Sequence, residues 1–239
     1  MFEKQHVAIL SGLSGIASLI AGIGLAVAWS YWSDTLDACP ESSCSCIFYA
    51  HLRGLTFSGG SPIWCRILTY FTLAASIFSF VVAVYYFTKL RSEPKDYTDR
   101  SSSPSTNARL NNRARGRFSS QFKLLCGVFT VLAFIHACAL SEGYLSTCRE
   151  YKPVVSRHLK ASGDLSDLVM ERLSCGTMYD FLDYLHPDSN YHVPHIPQYQ
   201  HYRRTFHINT GFILLASILL LWANVIIWGL MTILMVFRT

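Results

Sequence analysis

The sequence predicts an all-α membrane protein, a bundle of four transmembrane helices with a disulfide-stapled extracellular cap. Three observations support this prediction. The chain has four apolar stretches, each long enough to cross a bilayer, which takes about 20 helical residues. A basic segment separates the second stretch from the third, and six of the eight cysteines fall in the other two loops. The composition agrees, since 51% of the 239 residues are hydrophobic and only 15% are charged, against about a quarter in soluble domains.

The loop 89–122, with Lys123 beside it, indicates the orientation of the chain. Basic residues here far outnumber acidic ones: Lys89, Arg91, Lys95, Arg100, Arg109, Arg113, Arg115, Arg117 and Lys123 against Glu93, Asp96 and Asp99. Lys and Arg are retained in cytoplasmic loops, so this loop and both chain termini are predicted to be cytoplasmic. Its low hydrophobicity and its Ser and Pro content predict a mobile segment. Anionic lipid is the expected partner, at about 1 kcal/mol per basic residue, and nucleic acid is not expected because no recognition motif accompanies the charge.

The first span, 7–32, has small residues at every fourth position, among them Ser14, Ser18, Gly22 and Ala26. In a helix this spacing gives one face with very short side chains, which allows a neighbouring helix backbone to approach closely. The pattern therefore predicts a helix-packing face. The sequence leaves open whether the neighbour belongs to this chain or to a partner.

Three further spans and two extracellular loops follow from hydropathy and span counting. The spans are predicted at 66–88, 123–142 and 207–237, and the loops at 33–65 and 143–206. Gly59-Gly60 predicts a turn in the first loop. Arg203 and Arg204 lie on the predicted outer side, but a loop of this length follows the charge rule only weakly.

The larger loop, 143–206, is expected to contain two short helices. Leu165, Leu168, Val169 and Leu173 recur at helical spacing after the N-cap candidates Ser162 and Asp164. A second helix is predicted after Thr177, because Thr177 and Asp180 form a capping-box pattern, and Pro187 would end it. The segment 188–200 contains Pro194 and Pro197, so an extended chain is predicted there.

The six cysteines of the two extracellular loops form three pairs if each bridge stays within one loop: Cys46 with Cys65, Cys148 with Cys175, and Cys39 with Cys44. Closing a loop of roughly 20 to 30 residues contributes about 3 to 4 kcal/mol in the chain-entropy description. Six cysteines allow 15 pairings, so the pairing is a prediction that the sequence alone leaves open.

Several local stretches give the chain a resemblance to a known family. They are Cys46-Ile47-Phe48-Tyr49, Trp64-Cys65-Arg66, and Ala137-Cys138-Ala139-Leu140 with Gly143 and Cys148, followed by Cys175. In their order the chain resembles the transmembrane protein 179 family of four-span proteins. The resemblance covers most of the membrane portion, excluding the basic loop and the His-rich stretch, and Cys39 and Cys44 are additions to the family pattern. It implies four spans and no established enzymatic activity.

Candidate metal, haem and thiol chemistry is weak in this sequence. Five histidines lie between residues 186 and 207: His186, His192, His195, His201 and His207. Pro194 disfavours a helical turn there, and residues three apart in an extended chain are about 9 Å apart, so no metal site is predicted. His136 and Asn224 are the strongly polar intramembrane residues, and His136 lacks the second intramembrane histidine that a haem bundle needs. No cofactor is expected.

The predicted function is that of a non-enzymatic accessory or scaffolding subunit of a larger membrane complex, such as an ion channel or receptor, in the plasma membrane. Small-residue helix faces and a structured outer cap indicate it, together with spans that lack the charged residues typical of transport paths. A self-assembling pore or transporter is the alternative. A membrane thiol-redox enzyme using Cys44-Ser45-Cys46 is the third hypothesis, although active dithiols are usually Cys-X-X-Cys at a helix start.

Overall fold

The computed structural model describes residues 2–36, 44–53, 56–91, 106–158, 173–185 and 208–236. Its elements in chain order are α1 (Phe2–Leu36), β1 (Cys46–Arg53), β2 (Thr56–Gly60), α2 (Pro62–Arg91), α3 (Thr106–His158), α4 (Cys175–Leu185) and α5 (Thr210–Val236). Helices account for 89% of the residues that the structure describes. The structure also contains a β-hairpin, which the all-α prediction did not include.

Four helices are long and apolar enough to cross a membrane. The candidate spans are Gln5–Ser33, Pro62–Arg91, Phe122–Pro153 and Thr210–Val236, and each contains or largely overlaps one of the predicted spans. Their outward faces bear large apolar side chains such as Ile16, Ile77 and Ile226, which are at least half exposed. In water such a surface would be costly to expose, so these faces suit a lipid environment. The chain therefore has the architecture of a multi-pass membrane protein.

The helices contribute to two compact units. Unit 1 comprises Met1–Ile20, Thr72–Ala137 and Leu220–Thr239, and unit 2 comprises Ala21–Phe71 and Cys138–Leu219. Each of the four long helices provides one segment to each unit. The β-hairpin and α4 belong to unit 2.

The core of unit 1 is an aromatic and aliphatic cluster to which all four long helices contribute. Its buried members are Val7, Val82, Cys126, Trp228 and Met231. The rings of Phe78 and Phe129 flank the Trp228 indole, with centroids 5.4 Å and 4.6 Å from it. Trp228 is fully buried, so it fills the centre of this cluster.

The β-hairpin in unit 2 replaces the turn predicted at Gly59-Gly60. β1 and β2 are antiparallel, with a register irregularity between Cys46 and His51, and Tyr49 in that interval has a φ of 56°. A Cβ at Gly60 would lie 2.1 Å from the Phe48 carbonyl oxygen, and a Cβ at Gly59 would lie 2.2 Å from the Cys44 carbonyl oxygen. The two glycines are therefore needed for close backbone approach within the hairpin, and the turn prediction was wrong.

Helix α3 is much longer than the span predicted at 123–142. It begins at Thr106, inside the loop predicted to be mobile, and it continues to His158 with Pro153 inside it. Burial explains the continuation past residue 142, because Tyr144, Cys148 and Tyr151 lie one turn apart on a buried face. Gly143 does not end the helix. It lies against Tyr49 and Phe48 of the hairpin, where a side chain would be crowded.

Helix α4 begins two residues earlier than the predicted cap. Ser174 caps it: the Thr177 backbone N–H donates to the Ser174 hydroxyl at 3.2 Å, and the Met178 N–H donates to the Ser174 carbonyl at 3.0 Å. Thr177 therefore lies in the first turn, and its prediction as the N-cap was wrong. The helix predicted around Leu165 and the extended segment 188–200 fall outside the described residues.

Replacing Gly60 by Ala should strongly destabilise the protein, because the new Cβ would overlap two backbone carbonyl oxygens of β1, at 2.1 and 2.7 Å. Gly12→Ala is the matched control. No atom lies within 4 Å of a Cβ at Gly12, and Ala is favoured over Gly in helices by about 1 kcal/mol. Thermal unfolding of the purified chain in detergent should show a large loss for Gly60→Ala and no loss for Gly12→Ala. Equal melting temperatures for the two variants would contradict the hairpin geometry.

Candidate functional site

Two disulfides stabilise the loops of unit 2. Cys46 is bonded to Cys65, and Cys148 to Cys175, with Cα–Cα distances of 5.5 Å in both bridges. These are the two pairs predicted from loop membership. Cys44 is also disulfide-bonded, and its predicted partner Cys39 lies outside the described residues.

The two disulfide-bonded loops are joined by Thr147. Its hydroxyl donates to the Ile47 carbonyl at 2.9 Å and accepts from the Ala50 backbone N–H at 3.2 Å. Ile47 follows Cys46 in the chain, and Thr147 precedes Cys148. The bridges therefore belong to one continuous hydrogen-bonded assembly in which β1 lies against α3.

Tyr49 fixes the hairpin to the same part of α3. Its hydroxyl donates to the Ala139 carbonyl at 2.8 Å, and its ring lies 5.0 Å from the Trp64 ring between centroids. Burial, with a smaller contribution from Glu142, raises the pKa of Tyr49 above its usual value. A tyrosine phenol is already protonated at neutral pH, and the raised pKa extends the range in which it donates to higher pH. A Cβ at Gly143 would be 3.0 Å from the Tyr49 ring, so this contact needs glycine on α3.

Helix α4 is bonded to the first turn of α5 through Asp183. Its carboxylate accepts from the Thr210 backbone N–H and from the Thr210 hydroxyl, both at 2.6 Å. The Trp32 indole N–H donates to the same hydroxyl at 2.9 Å. A carboxylate at a helix N-terminus satisfies otherwise unpaired N–H groups and interacts favourably with the helix dipole. Segments of α1, α4 and α5 are thereby linked within unit 2.

A buried hydrogen-bond network connects α1, α2 and α5 within unit 1, with Ser14 at its centre. The Ser14 hydroxyl donates to the Asn224 side-chain oxygen and accepts from the Trp228 indole N–H at 2.8 Å. The Ser79 hydroxyl lies 3.1 Å from the Ser14 hydroxyl. These four residues are 2% exposed or less. We call Ser14, Ser79, Asn224 and Trp228 the serine network.

A second line of polar contacts runs along α2. The Ser76 hydroxyl donates to the Gly15 carbonyl at 3.0 Å, and Thr72 lies 3.4 Å from the His136 Nε2. His136 is thus a buried residue in contact between helices. Sequence reasoning missed the α2 residues, although Thr72, Ser76 and Ser79 recur at helical spacing. Each of these residues is only weakly polar, so none of them alone indicates a contact. Their common position on one face of α2 is the signal that could have identified them.

In unit 1 the predicted packing face of α1 contacts other helices of the same chain. Ser14 and Ser18 are fully buried, and Gly22 is buried while Ala26 is half-buried. A Cβ at the neighbouring Gly15 would lie 3.1 Å from the Phe80 ring of α2. Ser18 differs from Ser14, because its buried hydroxyl has no hydrogen-bond partner.

The candidates for metal and thiol chemistry are not brought together. All five histidines from His186 to His207 lie outside the described residues. Among the residues that are described, no group of three or more His, Cys, Asp or Glu side chains could hold a metal ion. Cys44 and Cys46 are both buried and disulfide-bonded, while Cys126 and Cys138 are free thiols.

Charged side chains are distributed unequally between the units. Among the side chains of unit 1 that the structure describes, the Lys and Arg residues are Lys89, Arg91 and Lys123, and none is a carboxylate. The described side chains of unit 2 include four carboxylates: Glu142, Glu150, Asp180 and Asp183. Basic side chains are present in unit 2 as well, but they do not outnumber the acidic ones. These three cations lie at the end of α2 and at the start of the α3 span.

The fold and these sites define the architecture of a multi-pass membrane protein, with four candidate spans and, between described cysteines, two loop-closing disulfides. Comparisons of the chain with protein-family models, curated proteins and solved structures found no match. The resemblance to the transmembrane protein 179 family stays a prediction from the sequence.

Ser14→Ala and Ser18→Ala form a matched pair that tests the serine network. Ser14→Ala leaves the buried Asn224 and Trp228 groups without their partner. An interhelical hydrogen bond in a membrane contributes about 0.6 kcal/mol on average, so the loss of both should cost about 1 kcal/mol. Ser18→Ala removes a hydroxyl that is already unpartnered, so it should be neutral or stabilising. Unfolding in mixed detergent micelles with increasing denaturing detergent should separate the two variants. Equal losses of stability would show that Ser18 has a partner or that Ser14 is not central.

Proposed function

We propose that this chain is a non-enzymatic integral membrane protein that acts by contact, as an accessory or scaffolding subunit of a larger complex in the plasma membrane, such as an ion channel or receptor. The observation that supports this most is that its buried polar groups form hydrogen bonds with one another. Ser14, Asn224 and Trp228 bond to one another in the helix core, and Asp183 and Thr210 bond across α4 and α5. These groups stabilise the fold.

The loop regions support a contact function for a second reason. Two disulfides, the Thr147 contacts and the Tyr49 hydrogen bond hold the hairpin and α4 in a defined arrangement. Preorganisation of this kind lowers the entropy lost when a partner binds. A rigid surface next to apolar helices suits association with another membrane protein.

The proposed orientation has the disulfide-bonded loops outside the cell and both termini in the cytoplasm. Disulfides persist in oxidising compartments, which favours the outer side for Cys46–Cys65 and Cys148–Cys175. Lys89, Arg91 and Lys123, which lack acidic companions among the described side chains of unit 1, favour the cytoplasmic side under the positive-inside rule. The charge and the sulfur chemistry are independent of each other and lead to the same orientation.

Cysteine labelling at the two ends of α2 tests this orientation. Ser61→Cys and Thr88→Cys place thiols at exposed positions, in a background in which Cys126 and Cys138 are replaced by Ala. In intact cells a membrane-impermeant maleimide should label the Ser61→Cys variant only. The Thr88→Cys variant should react only after permeabilisation. The reverse pattern would exclude the proposed orientation, and labelling of both thiols in intact cells would mean that α2 does not cross the membrane.

Purification from native membranes tests the accessory role. The tagged chain, extracted in mild detergent, should co-purify with a larger membrane protein at a fixed stoichiometry measured by quantitative mass spectrometry. Excess free tag peptide and an unrelated four-span protein purified in parallel are the controls. Recovery of a homo-oligomer alone that conducts ions in liposomes would overturn the proposal and favour the pore.

A further inference from the structure

The end of α2 lies beside the start of the α3 candidate span in unit 1, at a place rich in aromatic and basic residues. The ring centroids of Tyr86 and Phe122 are 5.5 Å apart. Lys89 lies three residues after Tyr86, which makes the two neighbours on the helix surface, and Lys123 follows Phe122 directly. We call Lys89, Arg91, Lys123, Tyr86 and Phe122 the α2–α3 corner.

The cations of this corner are held near apolar surface. The Lys89 ammonium lies 5.5 Å from the centroid of the Tyr85 ring, within cation–π range. Lys89 and Lys123 are half-buried, and Arg91 is exposed. Long basic side chains at a membrane boundary lay their methylene stems along apolar surface and keep the charge in the headgroup layer. This arrangement of a charged end group beside apolar surface suits the boundary between headgroups and acyl chains.

The corner has no acidic counterpart among the described side chains of unit 1. No Asp or Glu is among the side chains that the structure describes in the unit 1 segments of α1, α2, α3 and α5, although Glu3 belongs to the first turn of α1. Lys89 and Arg91 are two residues apart on α2, and Lys123 follows Phe122, whose ring contacts Tyr86. Like charges placed in this way repel one another, and a bound anion relieves that repulsion. Arg binds phosphate oxygens through two parallel hydrogen bonds, while Lys binds them as a point charge.

We infer that the α2–α3 corner binds the headgroup of an anionic phospholipid. Lys89, Arg91 and Lys123 bind the phosphate groups. The apolar side chains beside them contact the part of the acyl chain nearest the headgroup. Phe87 and Leu124, which are 60% and 72% exposed, adjoin the corner and provide that acyl surface. This inference rests on the membrane role proposed above and deepens it. It assigns lipid binding to three defined cations, in contrast to nonspecific attraction by the whole basic loop.

Native mass spectrometry of the full chain in detergent tests the inference, with phosphatidylinositol bisphosphate as the probe and phosphatidylcholine as the neutral control. The wild-type chain should show one saturable adduct with the anionic lipid. The triple variant Lys89→Gln, Arg91→Gln, Lys123→Gln should bind it at least about tenfold more weakly. The single variant Lys123→Gln should show a smaller loss in the same direction, and thermal unfolding reports whether each variant is folded.

The matched control is Arg109→Gln, Arg113→Gln, Arg117→Gln, which removes the same number of charges from the first part of α3. This variant should bind the probe like the wild-type chain. Equal weakening by both triple variants would overturn the inference in favour of diffuse attraction, as would equal binding of phosphatidylcholine. Free inositol trisphosphate in place of the lipid should not form the adduct, since it lacks the acyl chain. Because the measurement needs neither a partner nor a membrane orientation, its failure is distinguishable from failure of the proposed function.

Discussion

The absence of water in a bilayer is the constraint on which this structure depends. A polar group buried in hydrocarbon has no solvent to bond with, so its partner must come from the protein. Ser14 meets this requirement for three helices together, since its one hydroxyl contacts Asn224, Trp228 and Ser79. An interhelical hydrogen bond in a membrane contributes only about 0.6 kcal/mol on average. Its larger effect is on specificity, because other rotations of α1 would leave Asn224 unpaired.

Close backbone approach is the second consequence of folding without a strong hydrophobic force between helices. Van der Waals packing in lipid increases as backbones come nearer, which favours small residues at contacts. Gly15 against Phe80 illustrates this for two helices, and Gly143 against Tyr49 illustrates it for a helix and a hairpin. In both places the glycine lies opposite an aromatic ring. A large flat side chain fills the space that the glycine leaves, and helix and ring therefore interlock.

The spans were predictable from the sequence because hydropathy over about 20 residues is a property of the segment itself. The pairs Cys46–Cys65 and Cys148–Cys175 were predictable because loop membership limits which cysteines can meet. The hairpin was not predictable, since Gly59 and Gly60 have the composition of a turn, and their role follows from the carbonyl oxygens opposite them. The early start of α3 was missed for a related reason. Low hydrophobicity argues against a buried segment, but it does not prevent a helix from extending beyond the membrane.

The serine network shows why polar contacts between helices of a membrane core are harder to find from sequence than intramembrane charges. Charged residues mark an intramembrane site clearly, because they are costly and rare in lipid. Burying Ser or Thr there costs little free energy, since their hydroxyls can donate to a carbonyl of their own helix, as Ser79 does to Ala75 at 2.8 Å. Whether such a hydroxyl also joins another helix depends on which residues face it. Asn224 was recognisable alone because its amide needs partners that its own helix supplies less readily, whereas Ser14 becomes recognisable only once α2 and α5 are placed beside it.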